Sequence, residues 1–80
     1  MDLDELLTSS NYNEVMRDLT PELKIIFTDI LEDLCEDGFD PDVDSDEDIM
    51  SYINWYFDNM EYSPMRKEVM LDNIKYVINN

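Results

Sequence analysis

The chain has 80 residues, of which 21 are acidic and 5 basic with no histidine, giving a formal net charge of -16. So much negative charge excludes direct nucleic-acid binding, which needs a basic face to attract phosphate, and it disfavours an anionic membrane surface for the same reason. At 44% hydrophobic and 11% aromatic residues, the chain is nevertheless too apolar for the fully disordered class.

This length predicts one domain, 1–80, near the small end of what folds without staples. The single cysteine, Cys35, has no partner for an internal disulfide, and without histidine there is no zinc set. The start, Met-Asp-Leu-Asp-Glu, is the reverse of a basic leader, and no apolar run reaches the length of a membrane span. These features predict a soluble protein of a reducing cytoplasm, with no cofactor.

Asp2 to Thr8 places Leu3, Leu6 and Leu7 at helical spacing, and Ser9-Ser10-Asn11 breaks the pattern. Tyr12, Val15, Met16 and Leu19 follow at i, i+3, i+4 and i+7, which predicts a second short helix. Thr20-Pro21-Glu22 is a helix start, with Thr20 as N-cap and Pro21 in the first turn, and Gly38 is the matching stop. Between them Leu23, Ile26, Phe27, Ile30, Leu31 and Leu34 share one face, while Glu22, Asp29, Glu32, Asp33 and Glu36 cluster opposite. Ile25 projects from the middle of that acidic face, and Asp37 lies towards its edge.

Phe39 to Asp44 reads as a linker, and Ser45 as the cap of the next helix. Asp46, Glu47 and Asp48 fall in that helix's first turn, where negative charge suits the helix dipole. Ile49, Tyr52, Ile53, Tyr56, Phe57 and Met60 form its apolar stripe, with Trp55 off the stripe. Ser63-Pro64 opens a last helix running to about Asn79. Met70, Leu71, Ile74, Val77 and Ile78 make its main apolar face, and Met65, Val69 and Tyr76 a second one for the N-terminal helices to cover. There is no strand signal. The predicted fold is all-α, with three main helices and one or two short N-terminal ones.

The stretch from Ile25 to Pro64 contains no Lys, Arg or His. Within it Asp29, Glu32, Asp33, Glu36, Asp37, Asp40, Asp42, Asp44, Asp46, Glu47 and Asp48 make up 11 of the 21 acids. A solvated surface is the ordinary meaning of a charge run. Such surfaces intersperse both signs, however, and uncompensated repulsion destabilises a compact chain. This block therefore points to a strongly basic partner. Helical carboxylates three or four residues apart lie ~5–6 Å from each other, and in an extended loop Asp40, Asp42, Asp44 and Asp46 would repeat every ~6.6 Å on one side. Both spacings are compatible with a row of phosphates.

In size, acidity and the row Asp40-Pro41-Asp42-Val43-Asp44-Ser45-Asp46-Glu47-Asp48, the chain resembles the small acidic DNA-mimic inhibitors of phages and mobile elements, of anti-restriction and anti-CRISPR type. That group shares no sequence motif, so the resemblance is one of composition. It implies an inhibitor occupying the nucleic-acid groove of a nuclease, a CRISPR effector or another DNA-handling enzyme, in the host cytoplasm. The acids from Asp29 to Asp48 would form the contact surface, with Trp55 and, more weakly, Ile25 as apolar anchors. For Trp55 the competing expectation is packing against the N-terminal segment.

Other readings compete. Asp40-x-Asp42-x-Asp44-x-Asp46 looks like the start of an EF-hand loop, but Ser45, Glu47 and Ser51 stand where glycine, an apolar residue and glutamate belong. An immunity protein or antitoxin neutralising a basic toxin would also be small, acidic and helical, as would an acidic protein-interaction module. Catalysis has little support: there is no histidine or phosphate loop, and Cys35 has no recognisable partner.

Overall fold

A computed structural model of the chain describes residues 2–79; Met1 and Asn80, the two ends of the predicted domain, lie outside the described residues. It is all-α, and no strand occurs among the described residues. The helices are α1 (Leu3–Leu7), α2 (Ser10–Asp18), α3 (Pro21–Glu36), α4 (Asp46–Asp58) and α5 (Lys67–Ile78). None is long and apolar enough to cross a membrane.

Caps made by short polar side chains set most of the boundaries. The Asp2 carboxylate accepts the Asp4 N–H at 3.0 Å to start α1. Ser9 serves both neighbours: its hydroxyl donates to the Leu6 carbonyl at 2.9 Å and accepts the Tyr12 N–H at 3.1 Å. The predicted break at Ser9-Ser10-Asn11 is therefore shorter than expected. Because Ser9 is itself the cap, Ser10 and Asn11 become the first turn of α2. Thr20 caps α3 as predicted, with Pro21 following it.

The end of α3 sends into the core a residue that the sequence assigns to the linker. Gly38 has φ +75°, the left-handed conformation that ends helices. Phe39 N–H then reaches back to the Leu34 carbonyl at 2.9 Å, and Gly38 N–H to that of Cys35 at 3.2 Å, the Schellman pair. This turn drives Phe39 inward, and both Phe39 and Leu34 are buried. Phe39 belongs to the core.

The last helix starts later than predicted. Arg66, not Ser63, is the N-cap of α5, and its side chain makes no capping bond. Met60 and Met65, on either side of Ser63-Pro64, both pack against the core. Both are partly buried there, and the segment between them is irregular rather than helical.

One core joins all five helices. Phe27, Ile30, Leu31 and Leu34 of α3 meet Ile49, Ile53 and Phe57 of α4 and Met70, Ile74 and Val77 of α5, while Leu6, Val15 and Leu19 close the N-terminal side. The Tyr12 ring stacks on Phe27 with centroids 6.0 Å apart. The second face of α5 is covered only in part. Tyr76 reaches α2, donating to Glu14 at 2.8 Å, and Asn11 donates to the Tyr76 carbonyl at 3.0 Å. Val69 stays exposed, because the short N-terminal helices do not reach it as predicted.

Candidate functional site

The acidic residues from Asp29 to Asp48 do not form one uniform surface; the fold sorts them into three settings. The first is the seam between α3 and α4. Here the Tyr56 hydroxyl donates to the Asp33 carboxylate at 2.6 Å, and the Tyr52 hydroxyl donates to Asp37. The partner numbers fall on α4 as they rise on α3, so the two helices run antiparallel. Both tyrosines lie at the margin of the core, with their rings packed inward and their hydroxyls turned to the acids.

These bonds hold the carboxylates without neutralising them. The Tyr52 hydroxyl is pushed up to about 12, first by its bond to Asp37 and then by burial. Tyr56 is pushed up further, first by burial and then by the Asp33 bond, with the charges of Asp33, Asp29 and Glu32 adding to it. Neutral hydroxyls therefore orient anionic carboxylates at physiological pH. The same device recurs at Tyr62, which donates to Glu22, and at Tyr76, which donates to Glu14.

The second setting is the loop, where the structure corrects the expected extended row. Asp44 N–H bonds to the Asp40 carbonyl at 2.8 Å, and Val43 N–H to the same oxygen at 3.1 Å. The Asp40 carboxylate accepts the Asp42 N–H at 2.9 Å, and the Asp44 carboxylate accepts the Asp40 N–H at 2.8 Å. The segment is thus a closed turn. The reason is local: Asp side chains bond backbone N–H groups two residues on, and Pro41 fixes a turn-compatible φ. Asp40, Asp42 and Asp44 remain exposed, but they do not repeat along one side as a phosphate strand would. Val43 stands among them at 79% exposure. No cluster of ligands able to hold a metal ion is found among the described residues.

The third setting is the start of α4. Asp48 accepts the Ser45 N–H at 3.0 Å in capping-box geometry. Asp46 is paired with Lys75 of α5 at 2.9 Å, so its charge is compensated. Glu47 is exposed and uncapped. Glu32 and Glu36 are exposed on α3, and Asp29 is half-buried.

Two adjoining hollows connect these settings. One, of about 350 Å³, is lined by Asp33, Asp37, Ser51, Tyr52 and Trp55. The other shares Asp37, Ser51 and Tyr52 and adds Phe39, Asp44 and Asp48. Together they make a trough with four acids, aromatic walls and no basic side chain. Trp55 is 64% exposed along it, and its indole meets Tyr56 edge-on at 4.9 Å, so the expectation of packing against the N-terminal segment does not hold. Ile25 is equally exposed at 64% but lies apart, at a hollow with Met16, Lys24, Thr28 and Asp29.

Of the predicted contact residues, Asp33, Asp37, Asp44, Asp48 and Trp55 come together, while Asp29, Glu32, Glu36, Asp40, Asp42, Asp46, Glu47 and Ile25 lie outside the trough. Sequence reasoning missed Tyr52, Tyr56 and Ser51, having assigned the tyrosines to the apolar stripe. A signal was present: two acids one turn apart on α3 match two tyrosines one turn apart on α4. Cys35 is a half-buried packing residue whose thiol is pushed up mainly by burial. Comparison with known proteins matches the chain to no family model, no curated protein and no solved structure.

Proposed function

We propose that this protein is a non-catalytic acidic decoy: it binds and blocks the basic groove of a nucleic-acid-handling protein, such as a defence nuclease or CRISPR effector, in the host cytoplasm. The observation that carries this reading is the trough with its flanking turn, where carboxylates are fixed in place by neutral donors and left uncompensated. Pairing those charges with bases, or replacing them with neutral residues, would favour stability alone, since unpaired like charges repel. A basic partner supplies what the fold withholds. Long-range attraction would speed encounter and make association salt-sensitive, and Trp55 would slow dissociation as a desolvated anchor.

The closed turn favours a second reading beside the first. A shaped acid–aromatic trough suits one cognate basic surface, as in an immunity protein facing its toxin, better than a regular phosphate row does. Affinity capture from a host-type lysate at near-physiological salt, with and without excess DNA, separates the two. A captured DNA-handling protein that DNA displaces is the expected result for the decoy. A stable partner indifferent to DNA moves the assignment to the immunity class, and capture of no basic protein overturns both.

A further inference from the structure

Resting on the reading of a basic partner, we infer that the α3–α4 trough is a receptor for an arginine side chain, and that Trp55, Asp33 and Asp37 read it as arginine rather than as generic positive charge. Three observations converge on this chemistry. Asp33 and Asp37 lie one helical turn apart at the cleft, and each commits only its Oδ2 to a tyrosine hydroxyl. Among the described residues the Oδ1 of each accepts no hydrogen bond, so two fixed anionic acceptors remain available. The exposed indole of Trp55 walls the same cleft and is braced from behind by Tyr56.

A guanidinium answers each of these features. It is planar, weakly hydrated and able to donate in a fork to carboxylates while stacking on an aromatic face. Tryptophan is the strongest aromatic partner for a cation. A lysine ammonium meets the charge but is strongly hydrated and cannot use the flat indole in the same way. An uncharged peptide would leave Asp33 and Asp37 unanswered, and a nucleic acid would be repelled. The hollow of about 350 Å³ accommodates one long side chain.

Trp55 is the only tryptophan in the chain, so its fluorescence reports on this cleft directly. The test titrates the whole protein with oligo-arginine and oligo-lysine peptides of equal length at low salt, following Trp55 emission and, independently, calorimetry. The arginine peptide should bind about tenfold more tightly than the lysine peptide and alone alter the emission strongly. By calorimetry, Trp55→Ala and Asp37→Asn should each bring the arginine affinity down to the lysine level. The exposed Val69→Ala on α5 should retain the preference. Equal affinity for the two peptides in the native protein overturns the arginine receptor while leaving the acidic decoy standing. A preference that survives both Trp55→Ala and Asp37→Asn overturns it too, since arginine would then be read elsewhere. Binding of neither peptide overturns the receptor and the decoy together.

Discussion

The trough between α3 and α4 and the ion-paired rim of the molecule hold their carboxylates by different means. None of the five basic residues, Arg17, Lys24, Arg66, Lys67 and Lys75, lines the trough. Where they reach an acid they cancel its charge: Lys67 pairs with Asp58 at 3.1 Å, Lys75 with Asp46 at 2.9 Å, and Arg66 approaches Glu68 at 3.8 Å. Along the trough, tyrosines replace them as donors. A lysine and a tyrosine both fix a carboxylate, but only the lysine neutralises it. Two of the three ion pairs sit at the rim of α4, so the fold spends its few cations on the edges and leaves the centre negative. That pattern is the one on which the proposed basic partner rests.

The largest effect should come from removing the field. Replacing Asp40, Asp42 and Asp44 together with lysine should abolish capture of the basic partner, with helicity by circular dichroism retained, because all three side chains are exposed. Since Asp40 and Asp44 also hold the turn through their carboxylates, the triple asparagine variant sharpens the result. Asparagine keeps an acceptor for the backbone N–H and removes only the charge. It should weaken capture less than lysine does. Capture that survives the triple lysine change would place the contact surface elsewhere.

Alkali should test the tyrosine-held seam through the ionisation of the tyrosines themselves. A hydroxyl whose pKa is raised on folding stabilises the fold fully below its unfolded value, near 10, and loses that contribution as pH rises through its folded value. For Tyr52 this window runs from about pH 10 to about 12. Tyr56 is displaced in the same direction, so the loss continues above that range. Tyrosinate absorbance should therefore rise late for these residues, and denaturant stability should fall across the window. Coincident ionisation of all the tyrosines at the ordinary value would mean the seam bonds do not persist in solution.

Within the seam, Tyr56→Phe should destabilise the protein by about 1–2 kcal/mol by denaturant titration, because it strips a half-buried carboxylate of its donor. Tyr76→Phe removes a similar bond at an exposed site and should have a smaller effect, since water takes the place of the hydroxyl. Equal effects would show that the seam is no drier than the rest of the surface.

The all-α architecture was legible wherever punctuation was local. Thr20-Pro21, Gly38 and Ser45 bracket α3 and α4 because each acts through backbone groups within a few residues. Most of their apolar stripes enter the observed core, with Ile26, Tyr52, Tyr56 and Met60 at its margin. What eluded the sequence depended on distant partners or on competition between bonding patterns. Phe39 reads as linker until the Schellman bonds at Gly38 turn it inward, although glycine at that position is itself a cue for an apolar residue next to it. The aspartates from 40 to 44 alternate as if extended, but side chain–backbone bonds close them into a turn. The start of α5 falls at Arg66, after a segment whose Met60 and Met65 pack against the core. The acids were visible from the outset, whereas the trough needed the antiparallel register that sets Asp33 against Tyr56 and Asp37 against Tyr52.

Lys75 offers the finest test of the contrast, because it is the one base of α5 that reaches across to the predicted contact acids. Its pair with Asp46 is partly exposed, with side chains 38% and 59% accessible, so Lys75→Met should cost at most about 1 kcal/mol in low salt and less as salt screens the pair. Binding should move the opposite way. Without the ammonium, Asp46 rejoins the uncompensated field beside Asp48, and association with an oligo-lysine peptide should become faster and more salt-dependent than in the native protein. Stability and capture would then change with opposite signs from one substitution, as expected if the rim cations serve the fold and the tyrosine-held centre serves the partner. A variant that loses stability and binding together would instead make Asp46–Lys75 part of the recognition surface.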